Sequence, residues 1–138
     1  MKKDKINSYY VNRHSCFLLQ YHLVLVTKYR HPVIVGDLKN HLIEYTKQYF
    51  EKQELNIMEI DACNDHIHIL FEAPPQINLA NFINIFKTAS SKVMRSSHEE
   101  FLNQYSSETS FWSLSYFVGS VSERSVSAVQ EYIQMQKG

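Results

Sequence analysis

Asn64-Asp65-His66-Ile67-His68-Ile69-Leu70-Phe71 is the stretch that decides the fold. In a β-strand successive side chains leave opposite faces. A strand here sends Ile67, Ile69 and Phe71 to one face and both imidazoles to the other. The first face is built for burial. The second places two histidines side by side, which suits one divalent cation. It also suits two part-buried histidines with ordinary hydrogen bonds, and the tripeptide alone leaves both readings open. Packing gains nothing from paired imidazoles, so the pair asks for a chemical explanation.

Working outward, Asn64-Asp65 reads as a short turn, with a strand over 55–63 before it. An earlier strand is expected over 16–27, closed by the polar turn Lys28-Tyr29-Arg30-His31-Pro32. Asp37 is a candidate N-cap for a helix to about residue 51, with Leu38, Leu42, Tyr45 and Tyr49 at helical spacing. Pro74-Pro75 ends the histidine strand. A helix over 78–96 follows, its stripe being Leu79, Phe82, Ile83, Phe86, Ala89 and Val93. Residues 98–109 read as a polar loop and 111–121 as a fourth strand, bent near Gly119. Ser122 then caps a last helix running to the C-terminus. The order β-α-β-β-α-β-α predicts an α+β fold. It is a ferredoxin-like split βαβ arrangement with an antiparallel sheet, plus a C-terminal helix. The first and third strands are central in that topology. The last helix is the candidate to cover the histidine face.

A chain of 138 residues fits one domain, 1–138, with residues 1–14 as an N-terminal extension and 122–138 as the last helix. Three glycines and three prolines leave little room for flexible linkers. Cys16 and Cys63 belong to no CxxC motif and read as reduced core residues of a cytoplasmic protein. No signal peptide or membrane-length apolar stretch is visible. Zero formal net charge argues against indiscriminate nucleic-acid binding, yet Lys2, Lys3, Lys5, Arg13, Lys28 and Arg30 crowd the first thirty residues.

Two imidazoles do not complete a metal site, and a third ligand is needed. Acidic candidates are Glu59, Asp61, Asp65 and Glu72, and the last helix adds Gln136. Asp61 lies on the adjacent strand. On the last helix Val126, Val129 and Ile133 form the apolar stripe, and Tyr132 and Gln136 project together along its flank. A cation held there would stand beside a phenol, an arrangement for nucleophilic attack on a phosphodiester. On spacing alone, the favoured reading is that Tyr132 is one of nine tyrosines and Gln136 a solvated surface residue. No GxSxG, P-loop or GxGxxG is present. Ser90-Ser91 lacks a partnered base.

The segments Tyr21-His22-Leu23-Val24, Thr27-Lys28-Tyr29-Arg30, Asn64-Asp65-His66-Ile67-His68, Phe111-Trp112, Tyr116-Phe117-Val118 and Glu131-Tyr132-Ile133-Gln134-Met135-Gln136 occur in that order. Together they resemble the single-tyrosine HUH transposases of the insertion-sequence 200/605 group, the TnpA type. The resemblance runs from about Cys16 to the end. It implies a single-stranded DNA transposase that cuts and rejoins hairpin-bearing element ends. His66, His68 and Gln136 would be the metal ligands, for Mg²⁺ or Mn²⁺. Tyr132 would be the nucleophile that forms a 5′-phosphotyrosine link. It further implies a homodimer with active sites shared between subunits, the last helix swinging on a hinge near Gly119-Ser120. Lys28, Tyr29, Arg30, Lys87, Lys92 and Arg95 are the candidate DNA contacts, with Trp112 a possible stacking platform. Two other readings stand beside this one. The first is a catalytically idle ferredoxin-like nucleic-acid-binding dimer. The second is a replication initiator or relaxase of the wider HUH group.

Overall fold

The computed structural model describes residues 4–6, 9–11, 16–121 and 125–136. Three short strands open the chain, β1 (Asp4–Ile6), β2 (Tyr9–Val11) and β3 (Cys16–Phe17), and form a three-stranded antiparallel sheet. Within the expected N-terminal extension, residues 4–6 and 9–11 are thus strand. The expected strand over 16–27 is split. Its first two residues join that small sheet, and β4 (Gln20–Val26) belongs to the main one.

The main sheet has four strands in the order β5 (Asn56–Cys63), β6 (His66–Glu72), β4 and β7 (Phe117–Ser120), all antiparallel. The first and third strands of this sheet in chain order, β4 and β6, are central, as the sequence predicted. One face packs under α1 (Gly36–Lys52) and α2 (Leu79–Ser97). Leu23, Leu25, Ile67, Ile69 and Phe71 fill it from the sheet, all with no exposed surface. Phe50 of α1 sits edge-on to Phe71, Phe82 and Phe86 at 5.2, 5.0 and 5.5 Å between centroids. Such edge-to-face pairs add to what burial alone supplies. Asn78 caps α2, its side chain accepting from the Asn81 amide at 3.1 Å.

Several expectations are corrected. Asp37 does not cap α1. Val35 holds the N-cap position and Gly36 takes φ +56°, which leaves Asp37 inside the first turn. There its charge still favours the helix N-terminus. The stretch 98–109 holds a short helix, α3 (Glu99–Asn103), which buries Leu102. Of 111–121 only β7 is strand, with one isolated bridge between Thr27 and Trp112. Cys63 is exposed rather than buried, while the Cys16 side chain lies outside what is described.

The last helix, α4 (Ser125–Met135), packs on β4 and β7 from the face opposite α1 and α2. The contact is a small apolar cluster of Val24, Val26 and Val129, with Phe117, Tyr132 and Ile133 around it. The expected Ser122 cap lies outside the described residues. Among the described residues, no helix is long and apolar enough to cross a membrane.

Candidate active site

Register places the site. Residues directly opposed across antiparallel strands share a face. His66 opposes Val26 and Cys63, and His68 opposes Val24 and Asp61. Both imidazoles therefore lie on the face that α4 covers, and Ile67 and Ile69 on the face of the core. A bulge between Ile57 and Glu59 lets β5 keep Ile57 and Ile60 toward the core while Glu59, Asp61 and Cys63 turn to the histidine side.

Each imidazole is tied at one nitrogen. Asp65 Oδ1 lies 2.8 Å from His66 Nδ1. With that nitrogen donating, His66 Nε2 keeps its lone pair. A carboxylate behind a ligating histidine fixes both tautomer and ring direction. The other Asp65 oxygen takes two bonds at 3.0 Å from the Arg30 guanidinium. Burial pushes the Asp65 carboxyl up, but the hydrogen bonds from His66 and Arg30 outweigh it and hold its pKa below the usual value. His68 Nε2 lies 2.7 Å from His22 Nδ1, and the rings stack at 4.9 Å. Burial, then the neighbouring charge of His22, lowers the pKa of His68, while Asp61 and Glu59 pull it upward. A carboxylate thus aims the His66 ring and a second imidazole the His68 ring, with His68 favoured in its neutral form.

Arg30 reaches this position through an unusual turn. Tyr29 and Arg30 both take left-handed backbone, φ +57° and +53°. For residues other than glycine this stores strain of about 1–3 kcal/mol each. Arg30 Nη1 also donates to the Gln136 carbonyl at 3.2 Å. One guanidinium thereby joins the end of α4 to the carboxylate behind His66, and a cation suits a helix C-terminus.

Tyr132 packs against Phe117 with centroids 5.6 Å apart. Its hydroxyl lies 2.9 Å from Ser115 Oγ, and Ser115 donates to Gln136 Oε1 at 3.2 Å. Burial raises the Tyr132 pKa and the Ser115 bond partly offsets it. The phenol is therefore a protonated group at rest.

Among the described residues, no three His, Cys, Asp or Glu side chains converge to hold a metal. The four acidic candidates sort by contact. Asp65 stands behind His66. Glu72 is buried and held by Gln20 and Asn56 at 3.0 and 2.8 Å. Asp61 and Glu59 face the histidine side from β5. The donor set of two imidazoles and the Gln136 amide oxygen suits a borderline-hard divalent cation with positions left for phosphate oxygens.

The family model for IS200-like transposases matches residues 15–136. The chain belongs to this family. Over 120 residues it is 30% identical to the ISDra2 transposase TnpA of Deinococcus radiodurans, covering 87% of this chain and 85% of that one. It is 28% identical over 123 residues to the transposase for insertion sequence element IS200 of Salmonella typhimurium, covering 89% and 80%. The crystal structure of a Deinococcus radiodurans R1 protein described as a transposase candidate superposes with a TM-score of 0.85 at 30% identity, over 93% of this chain and 98% of that one. The ferredoxin-like α+β fold of this IS200-like transposase is therefore shared by a relative of known structure.

The charged residues expected to meet DNA are mostly engaged within the chain. Lys28 pairs with Glu108 at 3.0 Å, and the Tyr29 hydroxyl donates to the same carboxylate at 3.1 Å. Arg95 donates to the Ser106 and Ser110 carbonyls. Lys87 donates to those of Ser113, Leu114 and Ser115. Lys92 is exposed. Lys87, Lys92 and Arg95 do share one open groove of about 780 Å³ beside Trp112, away from the histidine face. His22 and Ser115 contact the candidate site residues, a placement that sequence reasoning missed. Parity along β4, where His22, Val24 and Val26 alternate with Leu23 and Leu25, was the available signal for His22. Ser115 offered none.

Proposed function

We propose that this IS200-like transposase is a metal-dependent enzyme that cleaves and rejoins single-stranded DNA through a 5′-phosphotyrosine intermediate. The observation that carries the reading is the covering of the His66–His68 face by the helix bearing Tyr132 and Gln136. His66, His68 and Gln136 would hold Mg²⁺ or Mn²⁺. Once bound, the cation would supply charge to polarise the scissile phosphate.

The protein's own groups do the rest. Asp65 and His22 keep the two imidazoles aimed. The Tyr132 oxygen attacks phosphorus, the P–O3′ bond breaks, and the 3′ oxygen leaves as a hydroxyl with the proton that the phenol gives up. Rejoining is the reverse, a 3′-hydroxyl displacing tyrosine, so no high-energy cofactor is required. On this reading the partner is single-stranded DNA carrying imperfect hairpins. The working form is a homodimer in which α4 of one subunit serves the histidine pair of the other. In the single chain α4 packs on its own sheet.

The test is incubation with a hairpin-bearing single-stranded end and Mn²⁺, followed by a denaturing gel. A covalent adduct is expected from the native chain and none from Tyr132→Phe, with hairpin binding retained in both. Hairpin binding without any adduct would favour the catalytically idle dimer. An adduct persisting in Tyr132→Phe would remove Tyr132 as nucleophile.

A further inference from the structure

One hydroxyl touches both working groups of α4. Ser115 Oγ lies 2.9 Å from the Tyr132 hydroxyl and donates to Gln136 Oε1 at 3.2 Å. Ser115 has a single proton, and the amide oxygen can only accept. The polarity is therefore fixed: the phenol donates to Ser115, and Ser115 donates to Gln136. The amide oxygen so engaged is the same one a cation would take.

The loop that carries Ser115 is held in an unusual way. Residues 113–116 form no strand, and Leu114 is 92% exposed. Packing of that side chain does not fix the loop. The Ser113 amide ties its start to the Val26 carbonyl at 2.8 Å, and the Lys87 ammonium holds the rest, donating to three successive carbonyls, Ser113, Leu114 and Ser115, at 2.8, 2.9 and 3.4 Å. Lys87 projects from α2, whose core face is locked among Phe82, Ile83 and Phe86. The rigid helix thus sets the loop, the loop sets Ser115, and Ser115 sets the α4 pair.

We infer that Ser115, held in place by Lys87, is a positioning residue that competes with the cation for Gln136 and fixes the resting place of Tyr132. This rests on the reading of Gln136 as the third ligand. It gives Lys87 a role inside the fold in place of a DNA contact. It also makes ligation of Gln136 and freeing of Tyr132 one event. When the amide oxygen turns to the cation, Ser115 loses its acceptor and the hydrogen-bonded chain from the phenol is broken.

The experiment is a Mn²⁺ titration of the full chain, without DNA, followed by electron paramagnetic resonance. His66→Ala and Gln136→Ala should both weaken binding. Ser115→Ala should tighten it about 3- to 10-fold, the worth of one net hydrogen bond. Ser115→Thr, which keeps the hydroxyl, should stay near the native value. The gain should vanish in the Ser115→Ala/Gln136→Ala double variant. Lys87→Met should shift affinity in the same direction as Ser115→Ala. If Gln136→Ala weakens binding while Ser115→Ala leaves it unchanged or weakens it, the competition is refuted and the site reading stands. If His66→Ala or Gln136→Ala binds Mn²⁺ like the native chain, the site reading fails and the competition falls with it.

Discussion

Replacing Asp65 by Asn tests how the site is aimed while leaving both histidines in place. Asp65 accepts from His66 Nδ1 through one oxygen and from Arg30 Nε and Nη2 through the other, at 2.8, 3.0 and 3.0 Å. An asparagine has one acceptor oxygen and one amino group. Two donors on Arg30 outweigh one on His66, so the amide oxygen turns to Arg30 and the amino group to His66. His66 Nδ1 must then accept, and its proton moves to Nε2, the nitrogen needed for a cation. Loss of such a partner behind a metal-binding histidine weakens affinity about 10- to 100-fold. That corresponds to about 1.4–2.7 kcal/mol. The assay is Mn²⁺ binding by calorimetry at pH 7.5. Nitrogen-detected NMR of His66 would report the change of tautomer directly. Binding within twofold of native in Asp65→Asn, with His66→Ala clearly impaired, would refute the reasoning.

Three further outcomes are expected. His22→Ala removes the partner of His68 Nε2 and should lower Mn²⁺ affinity about tenfold or more; unchanged affinity would mean that the strand alone aims His68. Ser90→Ala strands the buried Trp112 indole N–H, now bonded to Ser90 at 2.9 Å, and should cost about 1–3 kcal/mol by urea unfolding; no measurable loss would show that the indole finds another acceptor. At the junction of α1 with α3, burial and then the charge of His41 hold the His98 pKa below its usual value, against the pull of Asp37. The unfolded chain then binds more protons below about pH 6.5, so this contribution is complete above that pH and is lost as pH falls. His98→Asn should flatten the fall in urea midpoint between pH 7.5 and 5.5, and an unchanged slope would clear His98.

The parts of the fold that follow from side-chain periodicity were readable in advance. The alternation in β6 fixed which face met the helices, and the three-four stripe located α2 within a residue. The departures have another origin, side chains that bond to backbone. Residues 111–116 carry the aromatic composition of a strand. Their backbone meets the sheet only at the Thr27–Trp112 bridge, while Lys87 takes the carbonyls of 113–115 and Ser91 accepts from the Phe111 amide at 2.9 Å. No pattern within that segment announces a lysine some twenty-five residues earlier. The same holds for the site. His66 and His68 were legible because one strand holds both. His22 comes from another strand, brought in by register, and Ser115 from a loop, brought in by its hydrogen bonds to Tyr132 and Gln136. Arg30 illustrates a second limit: a basic residue near a nucleic-acid enzyme's site reads as a phosphate contact until its carboxylate partner is seen.

The alternation in β6 also bears on how safe it is for a cell to make this protein. The same seven residues, His66–Glu72, line the core on one side and the candidate cation site on the other. A strand paired one residue out of step turns every side chain to the opposite face. Ile67 and Ile69 would then meet α4, and both imidazoles would be buried under α1 and α2. A misfolded chain therefore has no cation site to offer. On the proposed function, the hydrophobic core thereby proofreads the activity, since only a chain that has buried its isoleucines correctly turns its histidines to the α4 face.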